Sequence, residues 1–123
     1  MKWVHLIAGG IAGTLSRYLL AGWVYGALGT NFPYGTLLVN LIGCFLIGFL
    51  AALSEEKFLL GPEARLLLMV GFCGAFTTFS TFMLETANLL KEGDTWKAFG
   101  NVAISVVIGF LIFRLGVFLG EAI

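Results

Sequence analysis

The chain has 123 residues, room for one domain and no more. Hydrophobic residues make up 59% and charged residues 11%, against roughly 45–50% and about 25% in soluble domains, and so short a chain cannot enclose the excess, which therefore faces lipid. Seven basic residues balance seven acidic ones, which gives no basis for nucleic acid or another polyanion as partner.

Four stretches have the length that crosses a hydrocarbon core, about 20 helical residues each. An all-α integral membrane protein is expected, a single transmembrane domain over 1–123 with spans at about 4–25, 35–53, 65–90 and 96–119. The first, from Val4 to Tyr25, is longer than the apolar part of a cleavable leader and lacks a small-x-small cleavage site, so it reads as a retained span. In it Gly9, Gly13 and Arg17 recur every four residues and share a face. Small residues there let helices approach closely. Arg17 is a fixed cation at depth, expensive by roughly 2.5–3.5 kcal/mol near a helix centre; a structural counter-ion, snorkelling and direct contact with an ion are all open. The cluster Gly29-Thr30-Asn31-Phe32-Pro33 is a turn.

The second span, Gly35 to Leu53, places Thr36, Asn40, Cys44 and Gly48 at the same spacing. The Asn40 amide must find partners in hydrocarbon. Its two N–H donors and one acceptor oxygen suit either a tie between helices or contact with an ion. A connection from Ser54 to Glu63 carries Glu55, Glu56 and Lys57, and leads to the third span, Arg65 to Leu90. Lys91 to Thr95 links it to the fourth, Trp96 to Leu119, whose stripe is Asn101, Ser105 and Gly109, with Gly116 nearby. Arg114 lies nearer a helix end, where its stem snorkels. Trp3, Trp23, Tyr25, Tyr34 and Trp96 sit near span ends, the usual place of amphipathic rings. Cys44 and Cys73 stand in apolar segments without a CxxC or His-rich context, so neither a disulfide nor a metal site is read there.

With four spans, both termini and the second connection share one side. Lys2, Lys57 and Arg65 fall there, and Lys91 and Lys97 on the other. Three against two is almost no bias, so the charge rule that fixes orientation has little to act on. Insertion both ways up, and with it an antiparallel dimer, stands beside a single weakly favoured orientation.

The densest signal is Gly71-Phe72-Cys73-Gly74-Ala75-Phe76-Thr77-Thr78-Phe79-Ser80-Thr81-Phe82, in the middle of the third span. Glycine and β-branched threonine weaken a helix, and hydroxyl side chains compete for backbone groups. Two readings are open: a continuous helix with hydroxyls bonded four residues back, or a break near Gly74 to Thr78. Non-helical backbone at that depth is tolerated only inside protein or beside an aqueous cavity. A break would bare one half-helix end that favours anions and one that favours cations. Phe79 and Phe82 are three apart, on one face. Packing is one reading of such a pair. The other uses the electropositive ring edges, which with hydroxyls and an amide replace part of an anion's hydration shell without a fixed charge to trap it. Glu85 is the buried carboxylate of this span.

The run Gly74-Ala75-Phe76-Thr77-Thr78-Phe79-Ser80-Thr81-Phe82 followed by Glu85 resembles the signature of the Fluc (CrcB-type) fluoride channel family. Gly35-Thr36-Leu37-Leu38-Val39-Asn40-Leu41-Ile42-Gly43 is similar to that family's second-helix motif, and Arg17 to its first-helix arginine. The resemblance spans all four helices. It implies a fluoride-selective channel for passive export across the cell (plasma or inner) membrane, conferring fluoride resistance. It also implies an antiparallel, dual-topology homodimer with two pores. Phe79 and Phe82 become the aromatic pair on fluoride and Asn40 its amide neighbour. Ser80, Thr81, Asn101 and Ser105 continue the polar route, with Glu85 near one end. The resemblance further implies a structural sodium ion at the dimer centre, held by backbone carbonyls of Gly74 and Thr77 from both subunits; oxygen ligands suit a hard cation. Three positions depart from the pattern: Gly109 in place of a hydroxyl, Asn101 in place of a tyrosine or histidine, and Ala75 in place of a second glycine.

A rival reading is a subunit of a small multidrug exporter, also four short helices able to insert both ways. Proton-coupled export of cations needs a carboxylate in the first span, and that span holds Arg17 and no acid. A non-transporting assembly subunit would not require Asn40, the hydroxyl cluster and the Phe pair together. No Ser–His pair, HExxH or paired acids at depth point to an enzyme.

Overall fold

The computed structural model describes residues 1–123, all helices and connections with no strand. The elements are α1 (Lys2–Leu28), α2 (Tyr34–Glu56), α3 (residues 62–76), α4 (Ser80–Lys91) and α5 (Thr95–Ala122). By length and composition four helical stretches can cross a membrane: α1, α2, α3 with α4 as Pro62–Lys91, and α5. Each runs one to three residues past its expected end on either side. Apolar patterning marks where hydrocarbon stops, whereas helical hydrogen bonding continues through the interface.

Only 22 of the 123 residues are buried, too few for a soluble core, and the outer surface is Leu, Ile, Val, Phe and Trp. Ile7, Leu15, Trp23, Val107, Phe110 and Phe118 all point outward. The interior is thin: Val24, Val39, Cys73, Phe76, Phe82 and Val117 make up much of it.

Close backbone approach fixes the packing. Any side-chain carbon added at Gly9 or Gly13 would strike the α3 backbone, at Leu67 O and Phe72 O respectively. Gly48 stands against Phe113 O of α5, and Gly116 against Phe45 O of α2. Thus α1 packs chiefly on α3 and α2 chiefly on α5. Without a hydrophobic drive between helices in lipid, this tight van der Waals contact is what holds them. Gly29, at φ 88°, ends α1 in a conformation that disfavours a side chain.

Wide turns with i→i+5 bonding occupy Leu66–Cys73, ending where the Gly74 N–H reaches the Met69 carbonyl. The α3 helix stops at Phe76. Thr77 is extended, at φ −89° and ψ 158°, and helical structure resumes at Ser80.

Candidate functional site

The backbone groups freed between α3 and α4 have identifiable partners. The Asn40 Nδ2 donates to the Thr78 carbonyl at 3.0 Å, and the Thr78 N–H donates to Asn40 Oδ1 at 2.8 Å. A primary amide carries a donor and an acceptor side by side, so it pairs with the N–H and C=O of a single residue as a neighbouring strand would. The Thr78 hydroxyl donates to Thr81 Oγ1 at 3.1 Å and accepts from the Thr81 N–H at 3.3 Å, serving the first turn of α4. On the α3 side, Arg17 Nε donates to the Ala75 carbonyl at 3.0 Å. A cation at the end of a helix whose carbonyls lack partners is favourably placed.

Three carbonyls are left without a donor in the chain, those of Gly74, Phe76 and Thr77. The Thr78 N–H goes to Asn40 and not to the Gly74 carbonyl, and the Thr81 N–H goes to Thr78 Oγ1 and not to the Thr77 carbonyl. Gly74 is exposed on the outer face of the protomer. Carbonyl oxygens without donors are hard ligands of the kind a hard cation takes.

An open cavity of about 430 Å³ adjoins this link. Asn40, Thr77, Thr78, Phe79, Phe82 and Ser105 line it, with Gly74, Cys44 and Cys73, and no charged side chain does. Phe79 and Phe82 stand with ring centroids 5.8 Å apart and planes tilted by 54°. Phe82 is buried, while Phe79 is 72% exposed, its ring projecting from the protomer. The Ser105 hydroxyl is buried and has no hydrogen-bond partner in the chain.

Of the residues singled out in the sequence, Asn40, Gly74, Thr77, Phe79, Phe82 and Ser105 meet at this cavity. The others lie off it. Ser80 is exposed beside it, and Thr81 is bonded to Thr78. Asn101 is almost wholly buried and donates from Nδ2 to Thr86 Oγ1 at 3.0 Å, while the Thr86 hydroxyl donates to the Phe82 carbonyl at 2.8 Å. Glu85 lines a separate cavity of about 350 Å³, where Tyr25 Oη donates to its Oε2 at 2.9 Å. Sequence reasoning missed Thr86 and the inward role of Tyr25. A hydroxyl four residues after Phe82 signals the former; a tyrosine at a span end reads as an interface anchor, and no local signal marks one that turns inward.

The model of the family described as "CrcB-like protein, Camphor Resistance (CrcB)" matches residues 4–117. The chain belongs to the CrcB-like family. A protein of Maridesulfovibrio salexigens named "Fluoride-specific ion channel FluC" is 44% identical over 122 residues, covering 99% of this chain and 97% of its own. Proteins of the same name from Solidesulfovibrio magneticus and Chlorobium phaeobacteroides are 46% and 47% identical over 114 residues, each covering 93% of this chain and 91% and 88% of their own. Those names describe ion channels, not enzymes. The CrcB-like match takes in Arg17, Asn40, the 74–82 run and Ser105, so every residue at the uncharged cavity lies inside it.

Proposed function

We propose that the protein is a fluoride-selective channel of the cell membrane through which cytoplasmic fluoride leaves passively, protecting the cell. The observation that carries this reading is the cavity in which an amide, hydroxyls and two phenylalanine rings converge without a single fixed charge. A small hard anion surrenders hydration on entering such a site. Neutral dipoles and electropositive ring edges replace part of it and still let the ion leave, as conduction requires. The names of the relatives agree in specifying fluoride. Phe79, Phe82, Asn40 and Ser105 would face the ion, with Ser80, Thr81, Asn101 and Glu85 extending the route.

The working unit in this reading is a homodimer of oppositely inserted protomers with two pores. Three features support it: the near-absence of charge bias between the two sides, the exposed Phe79 ring, and the Gly74 carbonyl, unpaired in the chain on an outer face. Polar backbone left against lipid is costly, so a second copy is the natural cover. The Gly74 and Thr77 carbonyls of both copies would hold a sodium ion at the centre. When bound, it would supply positive charge that neutralises the four carbonyl dipoles and locks the protomers together.

Purified protein in liposomes tests the reading. Fluoride should leave the vesicles quickly and chloride scarcely at all. Equal rates for the two, or no release, would discard it. The multidrug-exporter alternative, which lacks its acid in α1, would instead show proton-linked movement of organic cations.

A further inference from the structure

Tyr25 lies in the last turn of α1, yet its hydroxyl turns into the protein. It donates to Glu85 Oε2 at 2.9 Å and accepts from the Thr36 N–H, at 3.4 Å, on the first turn of α2. The Thr36 hydroxyl lies at the same 3.4 Å, and because the phenol proton is committed to Glu85, that hydroxyl is the donor. The ring seats against Gly35, where any side-chain carbon would overlap Tyr25 Cε2 and Cδ2. One phenol thus ties α1, α2 and α4 together. Glu85 Oε1 is buried without a partner, so Tyr25 is the carboxylate's only hydrogen-bond donor in the chain.

Glu85 follows Phe82 by one helical turn. It lines the cavity of about 350 Å³ together with Asn31, Asn88 and Glu92. On α5, Lys97 reaches only the Asn31 carbonyl, at 3.5 Å. Bonded to Tyr25, the carboxylate stands at the cavity wall; released, it would be free to swing toward Glu92 and across the approach of an anion. We infer that Tyr25 is a positioning residue that holds the Glu85 carboxylate against the first two helices, at the wall of the route, so that its charge does not swing across the path by which fluoride enters. The inference rests on the fluoride-channel reading and adds to it a part that no motif residue supplies.

Tyr25→Phe removes the hydroxyl and keeps the ring that packs over Gly35. Fluoride efflux from liposomes is measured for the parent, Tyr25→Phe, Glu85→Gln and the double variant. Each is run at low and high ionic strength, set with potassium isethionate at fixed sodium. The single Tyr25→Phe change should slow efflux about three- to tenfold at low ionic strength, the scale of electrostatic effects on entry. The deficit should shrink as salt screens the freed charge and vanish on the Glu85→Gln background. Efflux equal to the parent's, or a deficit that salt leaves unchanged, overturns the inference; if Glu85→Gln proves silent, the salt series alone decides. A parent that releases no fluoride overturns the channel reading and this inference with it, whereas a conducting parent with a salt-insensitive variant overturns this inference alone.

Discussion

Asn40 holds Thr78 by both of its backbone polar groups, the carboxamide accepting from the N–H at 2.8 Å and donating to the carbonyl at 3.0 Å. The residue where helical bonding lapses is therefore paired to a side chain of another span. An amide in the middle of a span is usually read as a tie between two helices; here it ties a helix to a stretch that is not one.

Asn40→Ala should destabilise the protein by about 2–6 kcal/mol, since two half-buried backbone groups lose partners at about 1–3 kcal/mol each. Asn40→Asp either stays protonated, keeping a donor and an acceptor, or ionises and sets a charge against the Thr78 carbonyl, so its cost should rise with pH. Unfolding of the purified protein in mild detergent, titrated with sodium dodecyl sulfate at each pH, measures both. An Asn40→Ala protein as stable as the parent would mean that the pairing contributes nothing.

Glycine substitutions should divide sharply by position. At Gly13 and Gly116 an added methyl meets backbone atoms of the facing helix, so alanine there should be destabilising by about 1–3 kcal/mol or more. At Gly22 and Gly26 nothing lies within 4 Å, and alanine should be neutral or stabilising by up to about 1 kcal/mol through helix propensity. Thermal melting of the four variants in detergent checks both halves.

Phe79→Ile should lower fluoride efflux at least tenfold while leaving the melting temperature within a few degrees of the parent. The ring is largely exposed on the protomer, and isoleucine keeps an apolar side chain where a second copy would cover it. Phe82→Ile should lower both, because that ring is buried and its removal leaves space in the interior. Unchanged efflux in Phe79→Ile would take its ring out of the ion route.

Sodium should stabilise the assembled protein where N-methylglucamine at equal ionic strength does not. A ligand that binds only the folded form raises stability in proportion to RT ln(1 + [L]/Kd). The melting midpoint should climb with sodium concentration and, once the site is filled, continue to rise with its logarithm. A midpoint that depends on ionic strength alone would remove the cation from the Gly74 and Thr77 carbonyls.

The four spans were legible because lipid imposes one rule on twenty consecutive residues, and composition reports it directly. The small-residue stripes were legible for the same reason: Gly9 and Gly13 do meet α3, and Gly48 and Gly116 seat α2 against α5. Residues 71–82 were not decidable locally. Whether the helix continues there depends on Asn40, 38 residues earlier in the chain than Thr78, and no periodicity within the span reports a distant amide. Asn101 shows the same limit. Its place on the polar stripe of the fourth span was visible, while its bond to Thr86, and through it to the Phe82 carbonyl, depends on how α4 and α5 meet.

Neither of the two principal pairings joins consecutive spans: α1 waits for α3, and α2 for α5. A nascent chain that has reached Glu56 therefore holds two inserted helices whose glycine-lined faces have no mate, and the second finds its own only when the last span has left the ribosome. The α1–α3 pairing can form while the chain is still growing, but the α2–α5 pairing must follow the last insertion. Synthesis halted before Thr95 leaves α2 without the helix on which it chiefly packs.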